Sequence, residues 1–124
     1  QAVRDKTKEK RNLLTATLSR HDIKDQREYA ILTDVASRST FNKSIKEFRT
    51  EMGLTKKDKT RDHYTEIELL QMGLTEALSA EKIEKEDRRG LTPCEQAIRH
   101  CGSSVRIGVE AARGGLGPKE KLLS

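Results

Sequence analysis

The sequence predicts an all-α domain of about five helices, and three observations carry that reading. Apolar residues recur at helical offsets, as in Phe41, Ile45, Phe48 and Met52, and alternation of the strand kind is missing. Two stretches begin with a hydroxyl and a glutamate three residues on, Thr65-Glu66-Ile67-Glu68 and Thr92-Pro93-Cys94-Glu95, the sequence form of a capping box. Glycine then stands where helices should stop, at Gly53, Gly90 and Gly114.

Taken in order, residues 4–20 form the first predicted helix, with Leu13, Leu14 and Leu18 on one side. Arg4, Lys6, Lys8, Lys10 and Arg11 crowd its start, either as a solvated face or as a phosphate-facing arm. His21, Asp22 and Asp25 break the pattern. A second helix is expected over 26–37, with Tyr29, Leu32, Val35 and Ala36 inward. Ser37 to Thr40 read as a turn and cap, followed by a third helix from Phe41 to Met52 and an αL stop at Gly53. Two short helices joined this way allow a helix-turn-helix, in which Asn42, Lys43, Lys46 and Arg49 would face a major groove. They equally suit an ordinary helix pair, since the turn lacks its usual glycine.

Lys56-Lys57-Asp58-Lys59-Thr60-Arg61 is a basic connector without periodicity, and it divides the chain. The expected organisation is a front helical part over 1–54, the connector over 55–64, a long helical pair over 65–113 and a tail over 114–124. The fourth helix carries two apolar stripes. One is Ile67, Leu70, Leu74 and Ala77/Leu78; the other is Leu69, Met72, Ala80 and Ile83. Two stripes imply cover on more than one side, as in a central or oligomer-forming helix. If it runs to Gly90 it is roughly 36 Å long, so its C-terminal end is expected to project or to meet a partner. The fifth helix presents Cys94, Ile98, Cys101, Val105 and Val109 as one seam, with Arg99, Arg106 and Arg113 as a basic ridge elsewhere on its surface. Gly102 and Gly108 inside it suggest close approach of another backbone or local fraying.

Composition narrows the function. Of 124 residues, 33% are hydrophobic, 36% charged and 3% aromatic, so the core must be thin. The net charge of +5 favours polyanions, but the scarcity of aromatic rings argues against a base-stacking single-strand binder. No apolar run approaches the ~20 residues of a membrane span. Cys94 and Cys101 lie seven apart on one helix, with Cα atoms roughly 10 Å apart, which excludes a bridge between them. Two lone thiols fit a reducing compartment such as the bacterial cytosol or nucleoid. His21, His63 and His100 sit apart, and Cys94, Cys101 and His100 do not converge as zinc ligands, so neither metal nor cofactor is expected. Nothing pairs a nucleophile with a base, and no glycine loop cradles a phosphate, which argues against an enzyme. The chain opens at Gln1 inside a helical pattern, and a fragment or processed product, with a domain upstream, is the expectation.

Arg61-Asp62-His63, Thr65, Glu68-Leu69, Thr75-Glu76, Lys82-Ile83, Gly90 and Gly108 follow one another in an order that resembles the DNA damage-inducible protein D family. The arrangement is also similar to related phage KilA-N and antirepressor-type regulators. Tyr29-Ala30, Thr33-Asp34 and Met52-Gly53-Leu54 resemble the segment that precedes it there, so the likeness spans roughly residues 10–110, while Cys94 to Ser104 depart from it. The resemblance implies the helical part of a phage-borne or damage-response (SOS-type) regulator that acts on DNA or on DNA-bound proteins such as repressors and recombinases. It implies no catalytic residues.

The expected function is therefore a non-catalytic, DNA-associated regulatory module, homo-oligomeric and cytoplasmic. Its phosphate contacts would come from Arg4, Lys6, Lys8, Lys10 and Arg11, from Lys43, Lys46 and Arg49, from Lys56, Lys57, Lys59 and Arg61, and from Arg99, Arg106 and Arg113. A helical protein–protein or oligomerisation domain without nucleic acid is the alternative.

Overall fold

Where each helix starts and stops is decided by which polar side chain reaches the free N–H groups at its first turn. The computed structural model describes residues 13–114, and within them the chain is helical with short turns. Residues 13–20 form α1. After a turn at His21-Asp22, Asp25 caps α2 (Gln26–Phe41) by accepting the Arg27 N–H. Then follow α3 (Ile45–Glu51), a 3-10 turn (Thr60–His63), α4 (Glu66–Glu86) and α5 (Leu91–Ala112). The all-α class and the five helices stand.

Thr65 and Glu68 form the anticipated capping box at α4, each side chain bonded to the other's backbone N–H. Three boundaries differ from expectation. Ser37 to Thr40 are not a turn: α2 runs on to Phe41, because the hydroxyls expected to cap are used inside the helix. Ser39 Oγ donates to the Val35 carbonyl at 2.8 Å, and Thr40 Oγ1 bonds to Thr75 Oγ1 of α4 at 2.8 Å. The capping box of α3 is instead Ser44 with Glu47, and Asn42, in the αL region, ends α2. The helix start at Thr92-Pro93 also moves: Gly90 is the N-cap of α5, Leu91 its first residue, and Thr92 makes no cap bond.

The third difference concerns the end of α4. Asp87 turns into the αL region and the Arg88 N–H bonds back to the Ile83 carbonyl at 3.1 Å, which closes the helix three residues before Gly90. This end does not project. His21 Nδ1–H donates to the Arg88 carbonyl at 2.8 Å and the Gly90 N–H donates to the His21 carbonyl at 3.0 Å. Arg20 pairs with Glu84 beside them. The corner between α4 and α5 is thereby laced to the end of α1.

The core is one cluster drawn from α1, α2, α4 and α5, centred on Ile23, Leu32, Met72, Ile83, Cys94 and Ile98. The anticipated seam of α5 is buried at Cys94, Ile98, Cys101 and Val105. Gly102 lets α2 approach: a Cβ there would lie 2.0 Å from Ser39 Oγ and 2.7 Å from Ser39 Cβ. Gly108 has nothing near it, so the close-approach reading holds at Gly102 alone. Phe41, Tyr64 and Phe48 pack edge to face, with centroids 5.2 and 5.1 Å apart, and seat the chain entering α4 against α2 and α3.

Of the two stripes on α4, only one is internal. Leu69, Met72, Ala80 and Ile83 are buried, whereas Ile67, Leu70, Leu74 and Leu78 face outward with 43%, 51%, 51% and 37% of their surface exposed. The described chain does not cover this second stripe.

Candidate nucleic-acid interface

A cation can meet a phosphate only if it is exposed and not already held by the protein. By that criterion the basic residues singled out from sequence divide into four groups. Arg4, Lys6, Lys8, Lys10 and Arg11 lie outside the described residues.

A second group is committed to the fold. Arg61 is turned inward, with Nη2 donating to Glu76 Oε2 at 2.8 Å, and its Nε and Nη1 are enclosed without an acceptor among the described residues. It flanks a cavity of about 440 Å³ bounded by Leu14, Leu18, Tyr29, Leu32, Tyr64 and Met72. Arg49 is likewise spent: Nη1 donates to the Asp58 carbonyl at 2.9 Å and to Thr60 Oγ1 at 2.8 Å, and Nη2 donates to the Thr55 carbonyl. The Arg61 guanidinium is turned away from the surface, while that of Arg49 is half-buried and occupied by the connector. Arg61 follows from a partner fifteen residues away, which no local pattern reveals.

A third group is exposed or half-buried and locally paired. Lys43 lies in the turn before α3, with Nζ 2.7 Å from Glu51 Oε1, and Asn42 is the C-cap of α2; neither projects from a recognition helix. Arg99 is bound by Glu95 one turn back, and Arg106 donates from Nε to the Ser39 carbonyl at 3.1 Å and approaches Glu110. The ridge along α5 is thus partly neutralised and partly a brace onto α2. Arg113, its last member, is exposed at the C-cap. A shallow groove between α2 and α5 adds Arg38, missed from sequence; its i,i+4 pairing with Asp34 is the signal that was there.

The fourth group is Lys46 on α3 with Lys56, Lys57 and Lys59 in the connector, all exposed. Arg49 ties the connector that carries three of them to α3, the helix that carries Lys46, at three points. Asp58, the carboxylate among the connector lysines, points back into the loop, where Oδ2 accepts the Thr55 N–H at 2.8 Å and its hydroxyl at 3.2 Å. That N–H, with the hydroxyl, holds the Asp58 pKa below its ordinary value despite some desolvation.

The remaining chemistry is quiet. Cys94 and Cys101 are free and buried, and burial raises both thiol pKa values, the direction opposite to that of an activated nucleophile. Among the described residues no group of three His, Cys, Asp or Glu side chains is placed to hold a metal ion. No helix among them is long and apolar enough to cross a membrane.

A search of curated proteins finds no match. The family model of the DinD C-terminal domain matches residues 1–122, nearly the whole chain and more than the likeness read from its motifs. The chain therefore belongs to the DinD C-terminal domain family.

Proposed function

We propose that this domain is a non-catalytic regulatory module of a DNA-damage-inducible protein, and that it meets DNA through phosphates. The observation that carries the reading is the Arg49 clamp, which ties the connector bearing Lys56, Lys57 and Lys59 to α3, the helix bearing Lys46, with all four lysines exposed. Four lysines without an aromatic platform or a groove-reading helix contact backbone and not bases, so binding is sequence-independent and salt-sensitive. The family membership supports the regulatory setting. The partners in that setting are DNA and DNA-bound proteins of the repressor or recombinase kind, in the bacterial cytosol or nucleoid.

Mobility shifts on duplex DNA over a range of salt concentrations test this. If each of the four lysines neutralises one phosphate, log K falls with log salt at a slope of about −3 to −4. Replacing all four by glutamine should remove most of that slope, whereas Arg61→Gln should not alter it in protein that remains folded. A missing or salt-indifferent shift rejects phosphate binding and leaves the alternative, a protein-docking module, which the outward stripe of α4 favours.

A further inference from the structure

The outward face of α4 is apolar for three turns, and its orientation is not free. Leu69, Met72, Glu76, Ser79 and Ile83 anchor the opposite face in the core, so Ile67, Leu70, Leu74 and Leu78 are held outward. Burying that stripe needs a partner with a matching ridge. We infer that this partner is a second copy of the chain, with its α4 lying antiparallel against the first about a two-fold axis near Leu74.

Two features single out this occupant. The first is the symmetry of the stripe. Leu70 and Leu78 stand four residues either side of Leu74, so a two-fold there sets Leu74 against its own equivalent and Leu70 against Leu78 of the second copy. Ile67 then falls one turn further out, opposite the stem of Glu81 across the pair.

The second feature is charge. Glu66 at the start of α4 and Lys85 in its last turn flank the stripe, and both are exposed. No described ion pair contains either. About the same axis they come within one helical turn of each other across the pair, roughly 4.5 Å along the axis, which is within side-chain reach. Antiparallel packing also opposes the helix dipoles. A parallel pair would bring Glu66 to Glu66 and Lys85 to Lys85.

Four partly exposed side chains amount to less than the ~800 Å² per partner of a standard interface. The dimer is therefore concentration-dependent and not obligate. Its existence is independent of the phosphate reading, and its test uses no DNA.

Sedimentation velocity on the 124-residue chain, from low micromolar to near-millimolar concentration, should show the mass rising from 14.0 kDa towards twice that value. Leu74→Glu, at an exposed helical site, should keep the circular dichroism spectrum and melting temperature while holding the mass at the monomer value. Glu66→Lys and Lys85→Glu should each weaken association about twofold to fivefold, and their combination should restore it. A constant monomer mass, or a dimer indifferent to Leu74→Glu, overturns the inference. Loss on Leu74→Glu without rescue by the charge exchange overturns the antiparallel register.

Discussion

The guanidinium of Arg61 and the carboxylate of Glu76 meet 2.8 Å apart beneath the surface, one from the 3-10 turn and the other from the middle of α4. Their side chains retain only 15% and 6% of their exposure, so each charge offsets part of the cost of burying the other. Truncating one partner removes that compensation from a buried charge. Arg61→Ala should therefore cost about 3–5 kcal/mol in urea unfolding, while replacing both residues by methionine should recover most of that loss. A change below about 1 kcal/mol in the single variant would show that the pair is solvated and of surface-like strength.

The two glycines within α5 should respond with opposite signs to the same substitution. Gly102→Ala drives a methyl into Ser39, where the helices cross, and overpacking of that kind costs about 1–3 kcal/mol. Gly108 has nothing within 4 Å, so Gly108→Ala gains up to about 1 kcal/mol from helix propensity. Thermal melts of the two variants settle the comparison. Equal shifts would show that the crossing of α2 and α5 is looser than described.

Arg49 holds the connector through three hydrogen bonds. Arg49→Ala should leave the cooperative unfolding of the core nearly unchanged but accelerate amide exchange over residues 55–60, since their carbonyl and hydroxyl partners are lost. The same variant should weaken DNA binding without removing a single exposed lysine. Unchanged exchange there would mean that Asp58 alone, through its bonds to Thr55, holds the loop.

Acid stability should follow the carboxylates that the fold keeps ionised. The Arg20 side chain, working against some desolvation, holds the Glu84 pKa below its ordinary 4.5. For Asp34, burial opposes ionisation, yet Arg38 and the Ile45 N–H outweigh it and bring the pKa below 3.8. Lowered folded-state values mean that the unfolded chain binds protons first as pH falls. Their contribution is complete above the unfolded pKa and is lost progressively below about pH 4.5 as the folded values are crossed. Melting temperature should be flat at neutral pH and fall steeply below that point. Glu84→Gln and Asp34→Asn should each flatten the fall.

What the sequence made legible was local. Thr65 and Glu68 are three apart, so their reciprocal capping can be read from the chain alone, and so can the seam of Cys94, Ile98, Cys101 and Val105. Ser39 and Thr40 misled because a hydroxyl that caps and one that bonds within a helix look alike until its partner is known. For Thr40 that partner is Thr75, thirty-five residues away. Periodicity also grouped the residues of each α4 stripe correctly while leaving open which stripe meets the core. That choice is made by α2 and α5 packing on the Met72 side. The basic set was hardest to read. Charge marks candidates, but Arg49 and Arg61 are engaged by carbonyls and a carboxylate that only the fold brings near.

The lacing of His21 to Arg88 and Gly90 has a mechanical meaning. Those bonds join points 67 and 69 residues apart, at the corner where the two longest helices change direction. A tilt imposed on α1 is delivered at that corner and not dissipated along a loop. The corner thus sets the angle at which α5 leaves α4, and with it the angle between the outward leucines of one arm and the arginines of the other.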